Sequence, residues 1–115
     1  MSDTAIPLSA EDAKLVTLAR ATRARVGAAE GAAVRDANGR TYAAATVDLP
    51  SLRLSALEVC VAMAVASGSR ALEAVVVLTG ADQFKGLEAV RDLAGAGVVV
   101  HRGDGRGTIV DSSTI

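Results

Sequence analysis

The chain has 115 residues, a formal net charge of −1, one cysteine and two aromatic residues, Tyr42 and Phe84. That length suits one domain over residues 1–115, with a modest core that has to be built from Ala, Val and Leu. Interspersed charges force no polyanion-binding face, the apolar run from Val59 to Ala66 is too short to cross a bilayer, and the N-terminus lacks the basic start and apolar stretch of a secretory signal.

Residues 1–8 are expected to be a flexible N-terminus. Ser9, followed by Glu11 and Asp12, then starts a helix that runs to about Arg25. Leu15, Leu18, Ala19 and Thr22 share one face of it, with Lys14, Arg20 and Arg23 toward solvent. Val26 to Gly31 is a loop of small residues. Ala32 to Asp36 and Arg40 to Val47 read as strands of a hairpin closed by Ala37-Asn38-Gly39, since Asn-Gly is a strong two-residue turn signal. Pro50 and Ser51 open a second helix, Leu52 to Gly68, apolar nearly all round and therefore expected to be buried. Ala74 to Leu78 is a continuous apolar run of the kind found in an interior parallel strand. Phe84 to Ala94 is a third helix with Leu87, Val90 and Leu93 inward, stopped by Gly95-Ala96-Gly97. Val98 to His101 and Thr108 to Asp111 are the last strands, on either side of a glycine-rich turn. The order α-β-β-α-β-α-β-β implies an α/β fold, a mixed five-stranded sheet between helix layers, with right-handed crossovers.

Few residues carry chemistry. Cys60 lies mid-helix among Val59, Val61 and Ala62, where a thiol behaves as a small hydrophobe. It forms no internal disulfide, and a soluble cytoplasmic protein is the expectation. His101 ends an apolar strand, and the following turn could present Arg102 and Arg106 to an anion. No helix follows to supply aligned N–H groups, so a flexible hairpin tip is the expectation. Arg20, Arg23 and Arg25 oppose the first helix's dipole, and with two aromatics in the chain nucleic-acid binding is not expected. Thr79 to Asp82 follows a buried strand, where α/β sheets hold ligands, but brings only Asp82 and Lys85 as charge.

The element order and several short motifs resemble the cytidine deaminase family over roughly residues 9 to 110. Gly31-Ala32-Ala33 is similar to the family's Val-Gly-Ala-Ala strand entry, and Asn38 to Tyr42 to its Asp-Gly-x-x-Tyr hairpin. Thr46-Val47-Asp48 lies where the family has Asn-Val-Glu, which holds ribose hydroxyls. Ser55-Ala56-Leu57 takes the place of the Cys/His-Ala-Glu triplet that opens the zinc helix, and Ala64 to Gly68 resembles the end of that helix. Gln83 to Ala89 takes the place of Pro-Cys-x-x-Cys-Arg-Gln, with Phe84 and Leu87 near the two cysteine positions.

The resemblance implies a three-layer α/β/α deaminase-like sandwich without its chemistry. In the family, zinc makes water nucleophilic and a glutamate that does not bind zinc moves the proton. Three ligands are needed, and the chain offers Cys60, His101 and otherwise only carboxylates. No metal and no cofactor are therefore expected, and no catalytic residue: the family's glutamate position is Leu57. Glu58 is the nearest carboxylate, but one residue on a helix is a turn of roughly 100°. A helix charge reaching solvent, or pairing with an arginine such as Arg53, is its expected role. Thr46, Asp48, Ser55 and Phe84 are the candidate ligand-binding residues. Leu57, Phe84 and Leu87 are expected to collapse inward and close the vacated site. The resemblance also implies a homodimer or homotetramer. The function that follows is an oligomeric binding or scaffold protein without deaminase activity. The alternatives are a divergent nucleoside deaminase or hydrolase using Glu58, Asp48, His101 or Asp82, and a nucleoside-binding sensor with at most a weak nucleoside ligand.

Overall fold

The computed structural model describes residues 7–115, so most of the segment expected to be flexible lies outside the described residues. Helix α1 is Ala10–Val26, and the Ser9 hydroxyl accepts a 3.1 Å hydrogen bond from the Asp12 amide at its start. Gly27, at φ 72°, ends it in the left-handed region. Strands β1 (Gly31–Asp36) and β2 (Thr41–Ala45) form the expected hairpin. Its turn is fixed by Asp36, whose Oδ1 accepts from the amides of Asn38 and Arg40, each at 2.9 Å. A short hairpin, β3 (Val47–Leu49) and β4 (Leu52–Leu54), precedes α2 (Ala56–Ala66). Then follow β5 (Leu72–Leu78), α3 (Leu87–Ala94), β6 (Val99–Gly103) and β7 (Ile109–Thr114).

The main sheet runs β2-β1-β5-β6-β7, and only β5 and β6, joined through α3, are parallel. Alternation along the strands sends side chains to both faces. Ala33, Ala74, Val76, Leu78 and Ile109 meet Leu15, Val16 and Ala19 of α1. Ala32, Val34, Val75, Val77 and Val100 meet Ala56, Leu57, Cys60, Val61 and Ala64 of α2, and Val90 of α3. The result is the α/β/α sandwich with a mixed five-stranded sheet. Small residues let the layers close. A Cβ at Gly31 would collide with the Ala19 carbonyl oxygen, so only glycine lets α1 lie so near β1.

Several expected boundaries move. Leu52–Leu54 is a strand, not a helical turn: Leu49 pairs with Leu52, making Pro50-Ser51 a two-residue hairpin turn. The helix begins after Ser55, whose Oγ accepts from the Glu58 amide at 3.1 Å while Glu58 Oε1 accepts from the Ser55 amide at 2.8 Å. This reciprocal capping box fixes the start. It also leaves α2 with one face on the sheet and the other outward, where Val65 is 53% exposed. Phe84 lies outside α3, which starts only after Gly86 at φ 124°. On α1 the buried stripe is centred on Val16, and Leu18 turns outward, because the helix meets the sheet along a narrow line. Arg23 is half-buried rather than free, its Nε donating to the Ala29 carbonyl at 3.3 Å. β2 stops at Ala45, where the Thr46 hydroxyl accepts from the Glu30 amide at 2.9 Å.

His101 is not at a hairpin tip. It is buried within β6, and the turn begins at Asp104, whose Oδ1 accepts from the amides of Arg106 (2.9 Å) and Thr108 (3.1 Å).

Candidate functional site

The first turn of α2, the β3–β4 hairpin and the loop before α3 converge on one side of the sheet. Between them lies a cleft of about 380 Å³. Thr46, Asp48, Ser55 and Phe84, the four candidates from the sequence, all line it, together with Glu30, Arg53, Glu58, Gln83 and Lys85. The chain brings them together because Thr46 ends β2, Asp48 sits in β3, Ser55 caps α2 and Phe84 lies in the loop that crosses beneath.

Much of this polar lining is already engaged. Thr46 is held by Glu30. Asp48 Oδ1 lies 3.4 Å from Arg53 Nε across the hairpin, both side chains being mostly exposed. The Ser55 hydroxyl donates to the Lys85 carbonyl at 2.7 Å while accepting from the Glu58 amide. Glu58 therefore neither reaches freely into solvent nor pairs with Arg53; it caps its own helix.

Leu57, the residue before the cleft-lining Glu58, is fully buried. An added Cβ at Gly86 would come within 2.9 Å of its Cγ, so the leucine side chain and the glycine backbone pack as closely as the chain allows. Phe84 and Leu87 are only half-buried. Phe84 also lines a second cleft of about 320 Å³, where Leu87 lies too. Inward collapse thus holds for Leu57 alone, and the space beside it stays open.

The family's zinc does not fit this donor set. The positions that the resemblance assigns to the ligands carry the engaged hydroxyl of Ser55 and the side chains of Phe84 and Leu87, and a neutral hydroxyl is a poor zinc ligand. Among the described residues no three His, Cys, Asp or Glu side chains are grouped so as to hold a metal ion. Cys60 and His101 do not meet: the thiol belongs to the α2 layer, whereas His101 contacts the first turn of α1 across the sheet. Burial pushes the Cys60 thiol up to about 12, and its Sγ lies 3.6 Å from the Tyr42 carbonyl. It is a packed thiol, not a reactive one.

Two polar groups escaped the sequence reading. On the α1 face, His101 Nδ1 lies 2.7 Å from Ser112 Oγ and its Nε2 lies 2.8 Å from Asp12 Oδ2. Asp12 Oδ1 is 3.0 Å from Arg35 Nη2, an ion-pair distance without hydrogen-bond alignment, and Arg35 Nε is 2.8 Å from Glu73 Oε1. Burial raises the Asp12 pKa, but the close contacts with His101 and with the Arg35 guanidinium outweigh it and hold the carboxyl below its ordinary value. At the far end of the sheet, buried Asp36 accepts from Ser69 Oγ at 2.6 Å, and that bond leads the effects that hold its carboxyl down. Only the serine cap and the Asn-Gly turn hint at Asp12 and Asp36 in the sequence.

A family model described as cytidine deaminase-like matches residues 8–107. Among solved structures, the chain is similar to the cytidine deaminase of Burkholderia pseudomallei, at 18% identity over 93% of each chain with a TM-score of 0.76. It is similar also to those of Mycobacterium leprae (19% identity, 93% of this chain and 94% of that one, TM-score 0.69) and Mycobacterium tuberculosis (20%, 80% and 85%, TM-score 0.67). No curated protein matches the sequence.

Proposed function

The chain belongs to the cytidine deaminase-like family, and we propose that within it this protein has lost zinc-dependent deamination and works as an oligomeric binding or scaffold protein. The packing of Leu57 onto Gly86 carries the reading. At the position of the family's proton-transferring glutamate stands a buried hydrocarbon, and the glutamate next to it is engaged as a helix cap. The other candidates for residual catalysis are scattered. Glu58 and Asp48 line the first cleft, Asp82 lines the second, and His101 lies on the opposite face of the sheet. The outward face of α2, with Val65 at 53% exposure, and the tip of the β3–β4 hairpin, with Leu49 and Leu52 at 56% and 49%, supply apolar surface for association with further copies.

The open, polar cleft beside Leu57 supports a second reading, a nucleoside sensor that kept a binding site. Purified protein tests both. The expected result is no stoichiometric zinc by elemental analysis, no loss of cytidine absorbance, and a light-scattering mass at least twice the 11.6 kDa of the chain. Near one zinc per chain with deamination overturns the main reading, and a monomer across micromolar concentrations removes the oligomeric part. Micromolar stabilisation by cytidine or uridine gives the sensor.

A further inference from the structure

The second cleft differs in kind from the first. It lies between the loop that follows β5, the start of α3 and the paired strands β6 and β7, where Val100 and Arg102 stand opposite Ser113 and Asp111. Arg102 enters it from β6. Its side chain is 24% exposed, yet its contacts are long: Nη1 is 3.5 Å from the Ala81 carbonyl and Nε is 4.0 Å from Asp111 Oδ2. A guanidinium carries five donors in a planar fork that suits a carboxylate in bidentate fashion. One that is largely withdrawn from water and this loosely engaged is an anion receptor with capacity to spare.

The rest of the lining narrows the anion. Phe84, Leu87 and Val100 form an apolar floor, and Asp82 and Asp111 stand at the exposed rim. One cation flanked by two carboxylates repels a phosphate dianion, whereas a single carboxylate with an ammonium beside it satisfies both signs. The volume of about 320 Å³ is near the lower end for small-molecule sites and suits a small ligand. We propose that this cleft binds a free apolar α-amino acid, its carboxylate on Arg102, its ammonium toward Asp111 and Asp82, and its side chain on Phe84, Leu87 and Val100. The site shares Gln83 and Phe84 with the cleft that would take a nucleoside but draws its charged groups, Arg102, Asp111 and Asp82, from outside it, so either proposal can fail without the other.

Isothermal titration of the full chain with L-leucine, leucinamide and 4-methylpentanoate tests it. Leucine is expected to bind at about millimolar Kd or tighter, and each analogue, lacking one charge, at least about tenfold more weakly. Arg102→Gln should weaken leucine by at least about tenfold and Asp111→Asn by less, with thermal midpoints close to that of the parent. Cytidine should not compete. Absence of heat with leucine up to ~10 mM, affinity unchanged in Arg102→Gln, or 4-methylpentanoate binding as well as leucine would each overturn the proposal. If Arg102→Gln fails to fold, the Asp111→Asn variant and the analogue series on the parent still decide it.

Discussion

At the start of α2, Ser55 and Glu58 direct their hydrogen bonds to the helix backbone and to the Lys85 carbonyl, next to the close contact of Leu57 with Gly86. Across the sheet, Asp12 and His101 contact each other, His101 also meets Ser112, and Asp12 lies at ion-pair distance from Arg35, with Ser112 and Arg35 on separate strands. The first region lies where a metal site belongs by resemblance, and its polar atoms now serve local geometry. The second has the look of a reactive cluster, a buried histidine between an acid and a serine. It nonetheless lines none of the clefts described above and ties the first turn of α1 to the far strands. A titratable constellation therefore marks structure here, and the site of binding is marked by space and by the loosely engaged Arg102.

The contrast can be broken by substitution. Leu57→Ala removes a fully buried side chain and should cost about 2–5 kcal/mol in denaturant unfolding. Gly86→Ala should also destabilise, through its positive φ and its contact with Leu57. The steric share of that cost should shrink in the Leu57→Ala background, which removes the contacts with Cγ and Cδ2 and keeps that with Cβ, so the two changes should add less than fully. Additive losses would mean that the two residues do not support each other.

On the other face the larger effect should be a pH effect. Asp12 has a folded-state pKa below its unfolded value, so its stabilisation is fully present above the unfolded pKa and is lost as pH falls through the folded one. Asp12→Asn should cost roughly 1–3 kcal/mol at pH 7 and lose less between pH 5 and pH 2 than the parent chain, over the range about the ordinary carboxylate pKa. Asp36 has the same direction of shift and should keep part of the acid sensitivity in that variant. Equal acid loss in both chains would remove Asp12 from the account. Ser55→Ala should give the smallest change, about 1 kcal/mol for a lost cap, read as a lower urea midpoint. No change would mean that the Lys85 carbonyl and the Glu58 amide find water at no cost.

Much of this was legible along the chain where the cause is local. Ser9 with two acids after it marked α1, Asn38-Gly39 marked the hairpin, and the β-branched run Val75 to Val77 marked a buried strand. The candidate cleft was legible through resemblance, since Thr46, Asp48, Ser55 and Phe84 do converge. What failed was competition between signals. Pro50-Ser51 looked like a helix start and masked Ser55 with Glu58 three residues on, so a three-residue strand was taken for a helical turn and a cap for a stray charge. The His101–Asp12 contact spans 89 residues and leaves no periodic trace. Arg102 read as part of a loose turn because the bulge between Arg102 and Gly103 hides how far β6 continues.

The fit of Leu57 onto Gly86 also sets a direction on sequence change. Leu57→Glu alone would place a carboxylate against a glycine backbone and out of water, and such a group is costly to bury. Cysteines at 84 and 87 alone would take Phe84 and Leu87 from the apolar floor they share with Val100, with no third ligand at Ser55 to complete a site. Each single step back toward metal chemistry thus lowers stability before any activity could return. On the proposed reading the arrangement acts as a ratchet: only several simultaneous substitutions would build a metal site at these positions.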